Sequence, residues 1–194
     1  MPAVSSIFAS LALILAVLIG PQTRAWTWGP SMMALGLSVA AALPVLWKKN
    51  RAQEDFGLIA FATLTVSWFA WRAWISPVAE LGQADLMLLA GAVGSFVAMR
   101  AIAGNAPAER ILVWSIALLL VANVAAIGKQ VMDPTYSPLF RSRTVDFPSG
   151  FYAHYNEAAN FLIAASLLVA AAAVFGKHRM STRIIWGVIA ITGL

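Results

Sequence analysis

Residues 111–128 read ILVWSIALLLVANVAAIG, a run that is apolar on every side of a helix and carries no charge. A stretch this long without a charged residue is the mark of a helix that crosses a bilayer. A strand of a transmembrane barrel would be shorter and would alternate in polarity. Asn123 is the polar exception near its middle, and an interhelical hydrogen bond is its expected role. Comparable runs lie on both sides, at about 4–20, 31–47, 56–75, 86–103 and 156–175. A seventh begins at Ile184 and reaches Leu194, a rise of only about 16 Å, roughly half of a hydrocarbon core. The expected architecture is all-α: a polytopic transmembrane helical bundle of about six complete spans plus a truncated seventh. Residues 1–194 form one transmembrane domain in this reading, the N-terminal portion of a longer protein.

Composition supports the lipid environment. Hydrophobic residues make up 61% of the 194 positions and charged residues 11%, whereas about a quarter of a soluble domain is charged. Such a chain would leave large apolar patches facing water. There is no cysteine, which excludes disulfides, thiolate catalysis and cysteine metal sites. The two histidines, His154 and His178, fall in different loops, too few for a histidine-built metal centre. Neither a cofactor nor a metal is therefore expected. No Lys or Arg precedes the first apolar run, so it reads as a retained helix rather than a signal peptide.

The net charge of +5 points to topology and anionic lipid rather than to nucleic acid. The loops after the second, fourth and sixth runs carry eight basic residues: Lys48, Lys49, Arg51, Arg100, Arg110, Lys177, Arg179 and Arg183. The opposite side carries five: Arg24, Arg72, Lys129, Arg141 and Arg143. The excess assigns the N-terminus to the cytoplasm and the loop 129–155 to the outside.

That outer loop leads into the most polar part of the chain, RSRTVDFPSGFYAHYNEAANFLI at 141–163. Asp146, Pro148, Ser149 and Gly150 spell a turn, because proline fixes φ and glycine accepts positive φ. A helix is expected from near His154. On it Asn156 and Asn160 share a face, and His154 stands within reach of Glu157. Asn156 is expected to fasten the Gly150 turn to the sixth span. His154 suits a general base or an interfacial hydrogen bond, and Glu157 suits a first-turn acid. Lys129, Arg141 and Arg143 offer cations to phosphate, whether of a substrate or of lipid headgroups. Upstream, Trp68, Trp71, Arg72 and Trp74 cluster at the end of the third run. They read as interfacial anchors, with a sugar-stacking platform as the lesser alternative. Glu80 and Asp85 are assigned to a polar loop, and Gly91 and Gly94 to close helix contact.

The segment Gly150-Phe151-Tyr152-Ala153-His154-Tyr155-Asn156-Glu157-Ala158-Ala159 resembles the glycine–aromatic–x–x–x–x–asparagine–x–x–alanine segment of O-antigen ligase-like membrane proteins. Trp71-Arg72-Ala73-Trp74-Ile75-Ser76-Pro77, followed by Asp85-Leu86-Met87-Leu88-Leu89, is similar to earlier segments of some bacterial members. The resemblance implies a bacterial inner-membrane glycosyltransferase that transfers or polymerises glycan from an undecaprenyl-pyrophosphate carrier on the external face. The implied partners are that lipid-linked donor, a glycan or lipid A-core acceptor, membrane lipids, and a further C-terminal half. Arg141, Arg143 and Lys129 would hold the pyrophosphate, with Tyr152, Asn156 and Asn160 on substrate and His154 and Glu157 in the chemistry. An alternative of another class is a non-catalytic membrane subunit packed in a larger complex. A small transporter fits less well, for want of paired broken helices and midplane charges.

Overall fold

In a computed structural model the described residues are 1–19, 28–48, 56–138, 147–176 and 178–194. They form seven helices and, among the described residues, no strand. The helices are α1 (Pro2–Leu18), α2 (Gly29–Lys48), α3 (Phe56–Trp74), α4 (Ala79–Ile102), α5 (Ala106–Met132), α6 (Tyr155–Phe175) and α7 (Met180–Thr192). Among the described residues four stretches have the length and apolarity of a membrane span: Gly29–Lys48, Gly82–Ile102, Ala106–Met132 and Tyr155–Phe175. The sequence reading expects six. The helices α1 and α7 are apolar but shorter, at 17 and 13 residues.

The distribution of side chains is that of a protein dissolved in lipid. Most of the buried apolar residues are alanines, among them Ala12, Ala34, Ala42, Ala117 and Ala165, while Trp47, Leu64, Trp74, Phe175 and Ile191 face outward. Between helices in a bilayer the hydrophobic effect offers little, because acyl chains are as apolar as leucine. Close approach of small residues and interhelical hydrogen bonds take its place.

The helix α1 shows both devices. Its buried Ser5, Ser6 and Ser10 form a polar strip along the seam with α2, α4 and α5. Ser38 of α2 donates to the Ser5 carbonyl at 2.7 Å, and the two hydroxyls lie 3.0 Å apart. Further along the antiparallel pair, Ser31 donates to the Ala12 carbonyl at 3.0 Å. Ser6 donates to the Ala108 carbonyl at the start of α5, at 2.6 Å. A serine hydroxyl that reaches a neighbouring helix's carbonyl leaves its own helix ladder intact. The cost is only one rotamer.

The rest of the bundle spreads to both sides of α1. On one side α2 leads to α4 and α4 to α3. Gly94 lets the α4 backbone approach Leu35 and Val39 of α2. On the other side α5, α6 and α7 enclose a core of Ala117, Val169, Ala173, Trp186 and Ala190. The Trp186 indole is wholly buried, edge-on to Trp114 and to His178. Arg183, counted above among loop cations, donates from Nε to the Ala173 carbonyl and from Nη2 to the Val174 carbonyl. Those are among the last carbonyls of α6, which lack helical partners, so the guanidinium caps the helix from its neighbour.

The helices α4 and α5 depart most from their expected boundaries. The chain turns at once through Ser76 and Pro77, and Glu80 and Asp85 belong to the first turns of α4 rather than to a loop. A Cβ at Gly82 would run into the Ala73 carbonyl, so only glycine allows α4 to fold back this closely on α3. The helix α5 is longer at both ends. Asn105 caps it by accepting from the Ala108 N–H, Pro107 stands in its first turn, and Glu109 accepts from the Gly104 N–H. Its other end carries Lys129 and Gln130, where the candidate site begins.

Candidate functional site

Asn123 and Gln130 lie seven residues apart on α5, two helical turns, and so share one face. Both are buried. Together they hold the turn that precedes α6. Gln130 Oε1 accepts from the backbone N–H groups of Ser149 and Gly150, each at 2.8 Å, and its Nε2 donates to the Gly150 carbonyl at 3.1 Å. Asn123 Oδ1 accepts from the Phe151 N–H at 2.9 Å. Inside the turn, the Ser149 hydroxyl donates to the Tyr152 carbonyl at 2.7 Å, and the Tyr152 N–H donates to the Ser149 carbonyl at 3.0 Å. Buried backbone groups outside regular structure need partners, and here two carboxamides supply them.

The turn needs glycine for two separate reasons. Gly150 has φ +59°, a conformation that costs an L-residue with a Cβ about 1–2 kcal/mol. A Cβ there would also run into the Asn123 carboxamide. The expectation that Asn156 fastens the turn is corrected here. Asn156 is exposed and makes no side-chain hydrogen bond among the described residues, whereas the fastening comes from Asn123 and Gln130 on α5. The interhelical hydrogen bond expected of Asn123 is instead a bond to the loop amide of Phe151. Gln130 was not singled out by sequence, and Ser149 was named only as a residue of the turn. The available signal for Gln130 was its register with Asn123 on an otherwise apolar helix.

From this fixed turn the chain enters α6. His154 is the residue before its first turn, exposed, and makes no side-chain capping bond. Its carbonyl accepts from the Glu157 and Ala158 N–H groups. Glu157 and Asn160 are exposed as well. Among the described residues, no side-chain hydrogen bond joins His154 to Glu157. Two aromatic pairs flank the entrance: Tyr152 against Phe161, with centroids 5.6 Å apart, and Phe147 against Tyr155 at 5.1 Å. The arrangement is a hydrogen-bonded polar doorway with an imidazole, a carboxylate and two carboxamides exposed.

Lys129, one residue before Gln130, holds its Nζ 4.0 Å from the centre of the Tyr136 ring, a cation–π contact. Arg141 and Arg143, expected to bind phosphate, lie outside the described residues. Among the described residues no three His, Cys, Asp or Glu side chains gather in a way that would hold a metal ion.

Asp133 ends α5 and accepts at Oδ1 from the Thr135 hydroxyl at 2.6 Å and from its N–H at 3.0 Å. These bonds, the hydroxyl's first, with the Lys129 charge behind them, hold the carboxyl below its ordinary value of 3.8. A depressed acid contributes stability above its unfolded-state pKa and loses it as pH falls through the folded value. Thr135→Val is expected to raise the Asp133 pKa part of the way back, read as the carboxyl carbon shift in an NMR titration. An unchanged titration would assign the effect to the remaining backbone bond and Lys129.

Comparison with known proteins brings no relative: no family model matches the chain, and neither a curated protein nor a solved structure does.

Proposed function

We propose that this chain is part of a bacterial inner-membrane glycosyltransferase of the O-antigen ligase type, acting on glycan carried by undecaprenyl pyrophosphate. The observation that carries the reading is the doorway to α6, a turn locked by two buried carboxamides that presents His154, Asn156, Glu157 and Asn160 outward. Loops fastened to a rigid scaffold are where binding and catalytic groups concentrate. In this proposal the N-terminus is cytoplasmic, the doorway is external, and the bundle crosses the membrane six times before α7.

The chemistry is displacement at an anomeric carbon. The acceptor hydroxyl oxygen attacks that carbon, the bond to the pyrophosphate oxygen breaks, and undecaprenyl pyrophosphate leaves with the bonding pair. His154 takes the acceptor's proton, while Lys129, Arg141 and Arg143 stabilise the charge on the departing pyrophosphate. Glu157 orients the acceptor or the imidazole, and Tyr152, Asn156 and Asn160 contact sugar. The acceptor is another glycan or a lipid A core.

Because Asn156 is exposed and does not fasten the turn, its replacement tests substrate contact without disturbing the fold. Asn156→Ala and His154→Ala are expected to accumulate in membranes with unchanged thermal stability and to lose most glycan transfer from the lipid-linked donor. Asn156→Asp, which keeps an acceptor oxygen, is expected to retain part of it. Wild-type transfer in both alanine variants would remove the doorway from the mechanism. The variants are compared within the complete protein that includes the C-terminal half, and no transfer by that complete wild-type protein would favour the non-catalytic subunit instead.

A further inference from the structure

The outer edge of the bundle carries a feature independent of the glycosyltransferase reading. The helix α3 packs chiefly on α4, and two hollows run along their seam, with Ala92 as a shared wall. The first, about 620 Å³, lies at the hairpin end and is lined by Trp68, Phe69, Arg72, Ser76, Asp85 and Leu88 among others. The second, about 510 Å³, follows the seam away from the hairpin and is walled mainly by apolar groups, including Phe61, Val66, Val93 and Phe96. One end of the seam is thus charged and indole-flanked, and beyond it a mainly apolar trough leads to Arg100, whose guanidinium lies over the Phe96 ring. That is the shape of an amphiphile.

The charges select among amphiphiles. A guanidinium from α3 and a carboxylate from α4 line one hollow, so a purely anionic headgroup meets Asp85 as well as Arg72. A headgroup that satisfies both carries an anion and a cation. The guanidinium suits a phosphate, and the carboxylate suits an ammonium that still has N–H bonds to donate. A choline headgroup has the charge but no N–H; a glycerol headgroup has no cation. Trp68 is exposed beside the hollow, where an indole sits at headgroup level.

We infer that the α3–α4 seam binds a phosphatidylethanolamine molecule, with its phosphate on Arg72, its ammonium on Asp85 and one acyl chain in the trough beside Phe61 and Phe96. Gly82 closes the seam at the hairpin by letting α4 approach the Ala73 carbonyl.

The test is native mass spectrometry of the full chain in mild detergent, offered equal amounts of dioleoyl phosphatidylethanolamine, phosphatidylcholine and phosphatidylglycerol. The expected result is retention of phosphatidylethanolamine about tenfold over either competitor, the effect of roughly one charge-assisted hydrogen bond. Asp85→Asn is expected to erase the preference over phosphatidylcholine, and Arg72→Gln to weaken retention of all three. Equal retention by the wild-type chain, or preference for phosphatidylglycerol, overturns the inference. So does an Asp85→Asn variant that keeps the preference. Helicity by circular dichroism checks that each variant is folded, and Asp85→Asn alone decides the matter should Arg72→Gln fail to accumulate.

Discussion

Gly150→Ala is expected to destabilise the protein by roughly 2–5 kcal/mol and to release the turn before α6. About 1–2 kcal/mol comes from a Cβ in the left-handed region. The remainder comes from displacing the Asn123 carboxamide, which strands the Phe151 N–H at about 1–3 kcal/mol. The chain contains its own control. Gly104 also has positive φ, +83°, but a Cβ there would meet nothing within 4 Å. Gly104→Ala should therefore show only the conformational part, about 1–2 kcal/mol. Thermal unfolding followed by near-UV circular dichroism separates the two, and amide exchange at residues 149–151 locates the damage. Equal losses in both variants would mean that the Asn123 contact contributes nothing.

Gln130→Leu is expected to be at least as severe. It removes three hydrogen bonds and leaves the Ser149 and Gly150 N–H groups buried without an acceptor, a cost of roughly 2–6 kcal/mol for the pair. Gln130→Glu should fall between leucine and wild type. It keeps the acceptor for both amides but sets an oxygen against the Gly150 carbonyl, where Nε2 donates now. Stability of this variant should rise as pH falls, because a protonated carboxyl restores the missing donor. Exchange of the 149 and 150 amides should accelerate in the leucine variant while the middle of α5 stays protected. Under the proposed function, glycan transfer should fall with turn protection across the series. A leucine variant with a protected turn would show that the backbone holds itself.

The helices were legible because each is a long apolar run, and lipid is the only solvent that tolerates such runs. Their neighbours were not. A helix that is apolar all round has no stripe to aim at a core. The packing of α1 rests instead on Ser5, Ser6, Ser31 and Ser38, residues that say nothing in a hydropathy reading. The start of α4 was misplaced because Glu80 and Asp85 look like loop residues. Acids are well placed in a helix's first turns, where the macrodipole favours them. The turn at Pro148–Gly150 was readable from its residue types alone. Its fastener was not, because Asn156 is the nearest carboxamide in sequence. Asn123 and Gln130 act from 28 and 20 residues away. Arg141 and Arg143 were chosen for charge, and charge says nothing of position.

The bond between the Ser6 hydroxyl and the Ala108 carbonyl joins residues 102 positions apart. At translation rates of about 5–20 residues per second, α1 is made roughly 5–20 s before its partner carbonyl exists. During that interval the Ser5–Ser38 contact is already available, because α2 follows soon after α1. A hairpin of α1 and α2 joined through serines can therefore form before α5 exists, leaving Ser6 to bond its own helix or a lipid carbonyl until then. Arrival of α5 exchanges that temporary partner for the Ala108 carbonyl. The ribosome's pace therefore sets the earliest moment at which Ser6 can find the Ala108 carbonyl.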